Sequence, residues 1–396
     1  MRKMKDSGVE WLGEVPAEWG FDRLGGFFSL RSEKVSDKDY TPLSVTKGGV
    51  VPQLSHVAKS DDHANRKLVC KGDFAINSRS DRRNSCGFAS QDGSVSLINT
   101  ICVPRGEIES RYFGYLFDSS QWSDEFYSWG HGIVADLWTT GWNDMKKILL
   151  PVPPLDEQRR IADYLDEKCA EVDRAVSAAE QSIEEYKLLL NAVIDERFSR
   201  YGRRVKLSRI SSLITDGDHQ APPRSDEGIP FLVISNISKG KIDFSNTDYV
   251  SEKYYESLPI SRRAQKGDVL VSVTGSYGIP VVVDVERPFC FQRHIALVRP
   301  SVDPDYIRFA MKTSEFSHYC DGVVTGAAQK TLTLESLRSA PIIDVPSAEV
   351  DVLVRDLLAK EAEIDAAIAA KRAIIADLKS YKQSLIYETV TGKREV

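Results

Sequence analysis

From residue 165 to residue 193 the apolar positions fall at Leu165, Cys169, Val172, Val176, Ala179, Ile183, Tyr186, Leu190 and Val193. Steps of four and three residues make a heptad seam, which lays one apolar stripe along a long helix and seats it against a partner. Pro153 and Pro154 precede Asp156 and Glu157, and carboxylates in a first turn suit the positive end of the helix dipole. A second stripe runs through Leu353, Leu357, Ile364, Ile368, Ile375, Leu378 and Leu385, with Ser347 as a candidate N-cap ahead of Glu349 and Asp351. Glu361, Lys371 and Lys382 fall at seam positions, so this second stripe is the poorer one.

The two stripes align without a gap at an offset of 192. Glu171-Val172-Asp173 matches Glu363-Ile364-Asp365, Ile183 matches Ile375, and Lys187 matches Lys379; the register reaches back to Pro154 and Pro346. A helix of about 40 residues is roughly 60 Å long and cannot bury such a stripe by itself. Two related helices in one chain, with a domain between them, point to an intramolecular antiparallel coiled coil. A coiled coil that dimerises two chains is the alternative.

Outside the helices the period shortens. Short runs rich in Val, Ile and Phe alternate with turns, and these runs also repeat. Lys71-Gly72-Asp73 and Lys266-Gly267-Asp268 anchor two similar stretches (68–90 and 263–283), while 40–51 resembles 228–242 and 96–117 resembles 290–311. One helical segment is expected near 110–127 and another near 303–318. The resulting layout is a tandem duplication: a domain at 1–150, a helix at 151–202, a second domain at 203–345 and a second helix at 346–396. The expected class is α+β, with two mixed α/β domains in a pseudo-twofold repeat, separated by the two long helices.

Composition narrows the function. A chain of 396 residues exceeds one ordinary core, and its mean hydropathy of −0.29 is that of a soluble protein. No apolar run approaches the roughly 18 residues of a membrane span, and the opening MRKMKDSGVEWLGEVP lacks the apolar stretch of a secretory signal. The six cysteines (70, 86, 102, 169, 290, 320) form no C-x-x-C pair, which favours reduced thiols in a cytoplasm. The net charge of −6 is uneven: −5 falls on 151–202, while 1–150, 203–345 and 346–396 carry −1, +1 and −1. The acidic central helix is expected to stand off nucleic acid and face protein, leaving each domain free to carry a local basic face.

Catalytic signatures are missing. There is no G-x-x-x-x-G-K-[ST], no G-x-G-x-x-G after a strand, no H-E-x-x-H, and no Asn/Asp-Pro-Pro-aromatic run of an amino-methyltransferase. The six histidines show no metal-ligand spacing. Asp216, Asp218 and His219 in TDGDH could hold a metal, but a turn rich in Asx and Gly accounts for them equally well. The pattern is that of a binding protein.

Several stretches resemble the DNA-specificity subunits of type I restriction-modification systems, in that family's order and spacing. KDSGVEWLGEVPAEWGFDRL (5–24) looks like the family's opening, LPVPPLDEQRRIADYLD (150–166) like its most recognisable motif, VKLSRISSLITDGDH (205–219) like the start of its second domain, and GAAQKTLTLESLRSAPI (326–342) like the end of a target-recognition domain. Two departures stand out: VPSAEVDVLV lacks the Glu-Gln pair of the first helix start, and Asp136 occupies a place where the second domain has glutamine. The resemblance implies a non-catalytic, cytoplasmic, bacterial or archaeal subunit with two target-recognition domains reading a bipartite, asymmetric double-stranded DNA site. It further implies helices that act as spacer and docking surface for two modification (methyltransferase) subunits, with restriction (translocase/endonuclease) subunits beyond. It implies no cofactor or metal in this chain; S-adenosylmethionine would come with the methyltransferases, and ATP and Mg2+ with the restriction subunits.

Base reading requires side chains with paired donors or acceptors presented from a fixed platform. The first domain offers Asn77, Arg79, Ser80, Arg82, Arg83 and Asn84 in NSRSDRRNS, directly after a strand. The equivalent stretch of the second, SVTGSYG, offers Thr274, Ser276 and Tyr277, followed by Gln292, Arg293 and His294, then Gln329 and Lys330. The contrast between a basic and a neutral loop predicts two different half-sites. The competing reading is a coiled-coil scaffold with two protein-binding domains, for which the modest net charge is the best support.

Overall fold

The computed structural model describes residues 2–54, 65–133, 138–219, 222–326 and 330–396. These fall into two compact units, one of residues 1–179 with 373–396 and the other of residues 180–372.

The first unit is built on a four-stranded antiparallel sheet. Its strands are β1 (Phe28–Arg31), β2 (Phe74–Asn77), β3 (Cys86–Phe88) and β4 (Asn99–Pro104), in the order β3-β2-β4-β1. One face meets α1 (Ser110–Asp118), which buries Tyr112, Phe113, Leu116 and Phe117. The core is strongly aromatic. Phe28 meets Phe113 edge-on at 5.6 Å between centroids, and Phe74 lies 4.5 Å from Phe117.

The same core takes in Ile161, Leu165 and Cys169 from the start of α2 (Leu155–Phe198), and Leu385, Ile386 and Val390 from the chain's last helix. The Glu-Gln pair at the start of α2 anchors this assembly. Glu157 accepts a hydrogen bond from Trp19 Nε1 at 3.0 Å and pairs with Arg2, while Gln158 accepts from the Glu109 amide and donates to the Pro153 carbonyl. Tyr387 in turn donates to the Trp11 carbonyl at 2.8 Å. The family-like opening is therefore a strap that joins both ends of the chain into one core.

In the second unit, β5 (Ser211–Asp216), β6 (Val269–Ser272), β7 (Pro280–Val282) and β8 (Ile295–Pro300) assemble in the order β7-β6-β8-β5, the same permutation as in the first. Here α3 (Pro304–Ala310) covers the sheet. Ile194 and Phe198 from the end of α2 share a core with Leu353, Val354 and Leu357 from the start of α4 (Ser347–Val390). In one unit the beginning of α2 packs with the end of α4, and in the other the end of α2 packs with the beginning of α4. The pairing is antiparallel and lies within one chain.

The K-G-D turns recur down to single hydrogen bonds. Asp73 accepts from the Cys70 amide and pairs with Arg31 at 2.7 Å; Asp268 accepts from the Gln265 amide and pairs with Arg299 at 2.8 Å. Gly72 and Gly267 adopt φ of 89° and 90°, a region open to glycine, and donate to Ala89 and Val283. Each aspartate is almost wholly buried, which makes its arginine partner obligatory.

Every apolar seam position is buried or half-buried, including Leu165, Val172, Val176, Ile183 and Leu190 of α2, and Leu357, Ile364, Ile368, Ile375, Leu378 and Leu385 of α4. The charged interruptions in the second stripe have partners. Glu361 pairs with Arg308 at 2.8 Å and Lys312 at 2.6 Å, docking α3 onto α4, and Lys382 reaches Asp173 at 2.7 Å across the helix pair. The first unit docks α1 onto α2 in a similar way, through Arg111 with Asp163 and Asp166. Ser347 is itself the first helical residue, and Pro346 accepts the first bond from the Glu349 amide, as Pro154 does from Glu157.

Asp268→Ala should destabilise the chain by about 3 kcal/mol, because Arg299 is left charged and part-buried without a partner; urea unfolding measures it. A second expectation concerns acid. Burial alone would raise the Glu361 carboxyl, but Arg308 and Lys312 hold it below the ordinary glutamate value. Its contribution is therefore complete above that value and is lost as pH falls through the lower, folded-state value. Thermal melts of Glu361→Gln should lack the part of the acid sensitivity that wild type shows in that window.

Candidate nucleic-acid interface

Beyond one end of each sheet, three segments meet through backbone bonds that repeat between the units. In the first, the Ser78 amide donates to Ile98 O, the Ser80 amide to Trp138 O, and the Thr140 amide to Ser78 O. In the second, the Val273 amide donates to His294 O, the Gly275 amide to Lys330 O, and the Leu332 amide to Val273 O. Arg79 bridges Thr139 as Thr274 bridges Thr331, so these two candidates occupy equivalent places. The loop after the second strand, the strap before the last strand and a late hairpin thus form one platform in each unit.

On the first platform the sequence candidates divide. Arg79 and Arg82 are exposed, and among the described residues the one ion pair of Arg82 is a long 3.5 Å contact with Asp81. Arg83 is engaged, at 2.7 Å from Asp124 and 5.1 Å above the Tyr127 ring. Asn77 is buried, and its Oδ1 accepts from the Arg79 amide. Asn84 takes the left-handed turn at φ 60°, with Nδ2 directed to Asp118 O at 3.4 Å. Ser80 is half-buried. A cleft of ≈ 840 Å³ opens beside this loop, and Lys47, Arg66, Arg79 and Arg82 line it together with Asp81. Sequence reading missed Lys47 and Arg66, whose loops come together only when the hairpin of Leu43–Thr46 and Gly49–Pro52 folds over the sheet.

On the second platform the structure gathers Gln292, Arg293 and His294 around a pocket of ≈ 360 Å³, with Asp218, Arg224 and Tyr249 opposite. His294 Nδ1 lies 3.0 Å from Thr274 Oγ1, joining two predicted residues. Burial, then the neighbouring Arg293, keeps the imidazole below its ordinary value, so the ring is neutral at pH 7. Ser276 and Lys330 are exposed, Tyr277 donates to Asp321 at 2.8 Å, and Gln329 lies outside the described residues, as does Asp136.

The TDGDH turn supports this strap. The Asp218 amide donates to Phe291 O and the Arg293 amide to Asp218 O, while the Asp218 carboxylate accepts from Tyr254 and faces Arg262. Asp216 faces His219 at 2.8 Å and Arg262 at 3.8 Å. Gly217 is required for the close approach, since a Cβ there would fall 2.1 Å from Phe291 O. Among the described residues no group of three or more His, Cys, Asp or Glu side chains could hold a metal ion.

Each unit thus carries the same strand order and the same backbone platform with unlike loop side chains, beside a pair of long helices. The fold is that of a solved chain from work on complex assembly and conformational transition of the type I R-M system, with a TM-score of 0.69 at 19% identity over 96% of this chain and 99% of that one. In sequence the chain is 23% identical to a protein assigned as the specificity subunit of the type I restriction enzyme MjaX of Methanocaldococcus jannaschii, over 97% of this chain and 96% of that protein. It is 24% identical to the EcoBI specificity subunit of Escherichia coli over 52% of this chain and 49% of the relative. No family model matches. Along nearly its whole length the chain is thus similar to a type I restriction enzyme specificity subunit.

Gly217→Ala should cost about 1–3 kcal/mol by overpacking against the strap. It should also disorder Gln292 and Arg293 before the rest of the unit melts. Hydrogen exchange across residues 289–295, compared with 269–272, checks this; equal protection in both segments contradicts it.

Proposed function

We propose that this chain reads a bipartite, asymmetric double-stranded DNA target as the non-catalytic specificity subunit of a type I restriction-modification enzyme, one half-site on each platform. The observation that carries the reading is the repetition of one backbone platform with unlike side chains. The first presents exposed arginines over a basic cleft; the second presents an amide, a neutral imidazole and two arginines offset by Asp218 and Asp248. Two copies of one scaffold with different chemistry suit two different sequences.

In this reading residues 1–150 and 203–345 are the target-recognition domains, and the helices of 151–202 and 346–396 are spacer and dock. Two modification subunits bring S-adenosylmethionine to the assembly, and restriction subunits bring ATP and Mg2+. The site of action is the cytoplasm; among the described residues no helix is long and apolar enough to cross a membrane. Arg79, Arg82, Ser276, Arg293 and Lys330 are exposed enough to touch DNA as they stand. Arg83 would have to leave Asp124 first.

The test uses the chain co-assembled with its methyltransferase subunits and a duplex found by mapping methylated sites. Arg79→Ala and Arg82→Ala should each weaken binding and lower the slope of log affinity against log salt by about 1, whereas Arg83→Ala should change it less. A double Arg79→Ala/Arg82→Ala variant with the wild-type slope would remove the first platform from the DNA interface.

A further inference from the structure

Three buried or part-buried arginines pair with carboxylates: Arg31 with Asp73, Arg299 with Asp268, and Arg308 with Glu361. Among the described residues Arg66 has no such pair. Only 8% exposed, it opens the strand Arg66–Val69, and among the described residues its hydrogen bonds go to neutral groups. Nε donates to Ser94 Oγ at 2.9 Å, and Nη2 donates to Ser94 O at 2.8 Å and to Leu43 O at 3.4 Å. Among the described residues Nη1 has no acceptor, and no carboxylate forms an ion pair with Arg66. Its neighbour Lys67 repeats the theme, with Nζ directed to the Asn99 carbonyl at 2.6 Å. Burial lowers both side chains from their ordinary values, with Asp37 a small compensation at Arg66. A charge removed from water without a counter-ion is costly, and a ligand that supplies the opposite charge offsets that cost.

The place of Arg66 identifies that ligand. It lines the ≈ 840 Å³ cleft of the first unit beside Lys47, Arg79 and Arg82, and Asp81 is the one acidic side chain among the described lining residues. Among the described residues the cleft supplies no anion for Arg66, and the phosphate oxygens of the duplex that the first platform is proposed to read would supply one.

We propose that Arg66 is the seat of one backbone phosphate of bound duplex DNA, fixing the first platform's register while Arg79 and Arg82 approach from the rim. This rests on the DNA-reading function above. The guanidinium is already oriented by Ser94 and Leu43, so little side-chain entropy is lost when the phosphate arrives. The residue positions the duplex and carries no base information.

The experiment uses the full chain assembled with its methyltransferase subunits, as wild type, Arg66→Met and Arg66→Lys. Folding of each variant is verified by thermal melting. The expected result for Arg66→Met is a roughly tenfold or greater loss of affinity for the target duplex and a salt slope lower by about 0.9. Arg66→Lys keeps the charge and should retain the slope with weaker binding. Inorganic phosphate, compared with chloride at equal ionic strength, should raise the wild-type melting temperature and leave that of Arg66→Met unchanged. If Arg66→Met fails to fold, the wild-type phosphate shift and the retained slope of Arg66→Lys carry the test, and absence of either overturns the proposal. A folded Arg66→Met with the wild-type slope overturns it as well. So does a variant that loses the phosphate shift alone, which would make Arg66 a site for a free anion. Failure of the function itself is distinguishable, since the wild-type assembly would then bind no duplex selectively.

Discussion

Each 44-residue helix has one apolar stripe and no means of burying it alone, and the rest of the chain is arranged around that constraint. The partner stripe has to come from the other helix. Antiparallel pairing brings the start of α2 to the end of α4 in one unit, and the reverse in the other. The first unit must therefore be made from both ends of the chain. Trp11, Leu12 and Trp19 close the core around Leu385, Ile386 and Val390, and Glu157 ties the opening segment to the helix that began the pairing.

Charge refines what the apolar stripe begins. A stripe of leucine and isoleucine tolerates a slip along the helix, but a seam that also contains Glu361 and Lys382 does not. Each of these needs one particular partner, Arg308 with Lys312 in the first case and Asp173 in the second. A seam charge displaced by one turn would be left part-buried and unpaired, at a cost far above that of a misplaced methylene. The weaker hydrophobicity of the second stripe thus accompanies a better-defined register, and through α3 it also fixes how the second sheet rests on its own helix.

Local pattern carried much of this in the sequence. The two seams, the proline starts and the K-G-D turns are short-range signals, and each recurs in the structure with its expected geometry. Convergence at the platforms was partly legible, because the three segments repeat in the same order in both halves. Side-chain use was not. Asn77 and Asn84 are good base readers by type, yet the fold employs one as a buried acceptor for a backbone amide and the other as a left-handed turn. Arg66 gave no signal, because a cation at the start of a strand is ordinary until its neighbours are known. Its set of neutral acceptors is a property of three segments that meet, residues 43, 66 and 94, and no window along the chain contains them all.

The two platforms share their backbone bonds and differ in nearly everything those bonds present. Ser78, Ser80 and Thr140 correspond to Val273, Gly275 and Leu332, and the amides and carbonyls do the same work despite the change of residue. A scaffold held by main-chain bonds and by the K-G-D ion pair places few demands on its loop side chains. Those side chains can then change without loss of fold, provided that supporting positions such as Gly217 remain. In a recognition subunit this separates stability from specificity: the sheet, the helix pair and the buried carboxylates set where the loops stand, and the exposed residues alone decide what the loops meet. The asymmetry between a basic cleft and a neutral pocket is then a difference carried by a few side chains on one repeated frame.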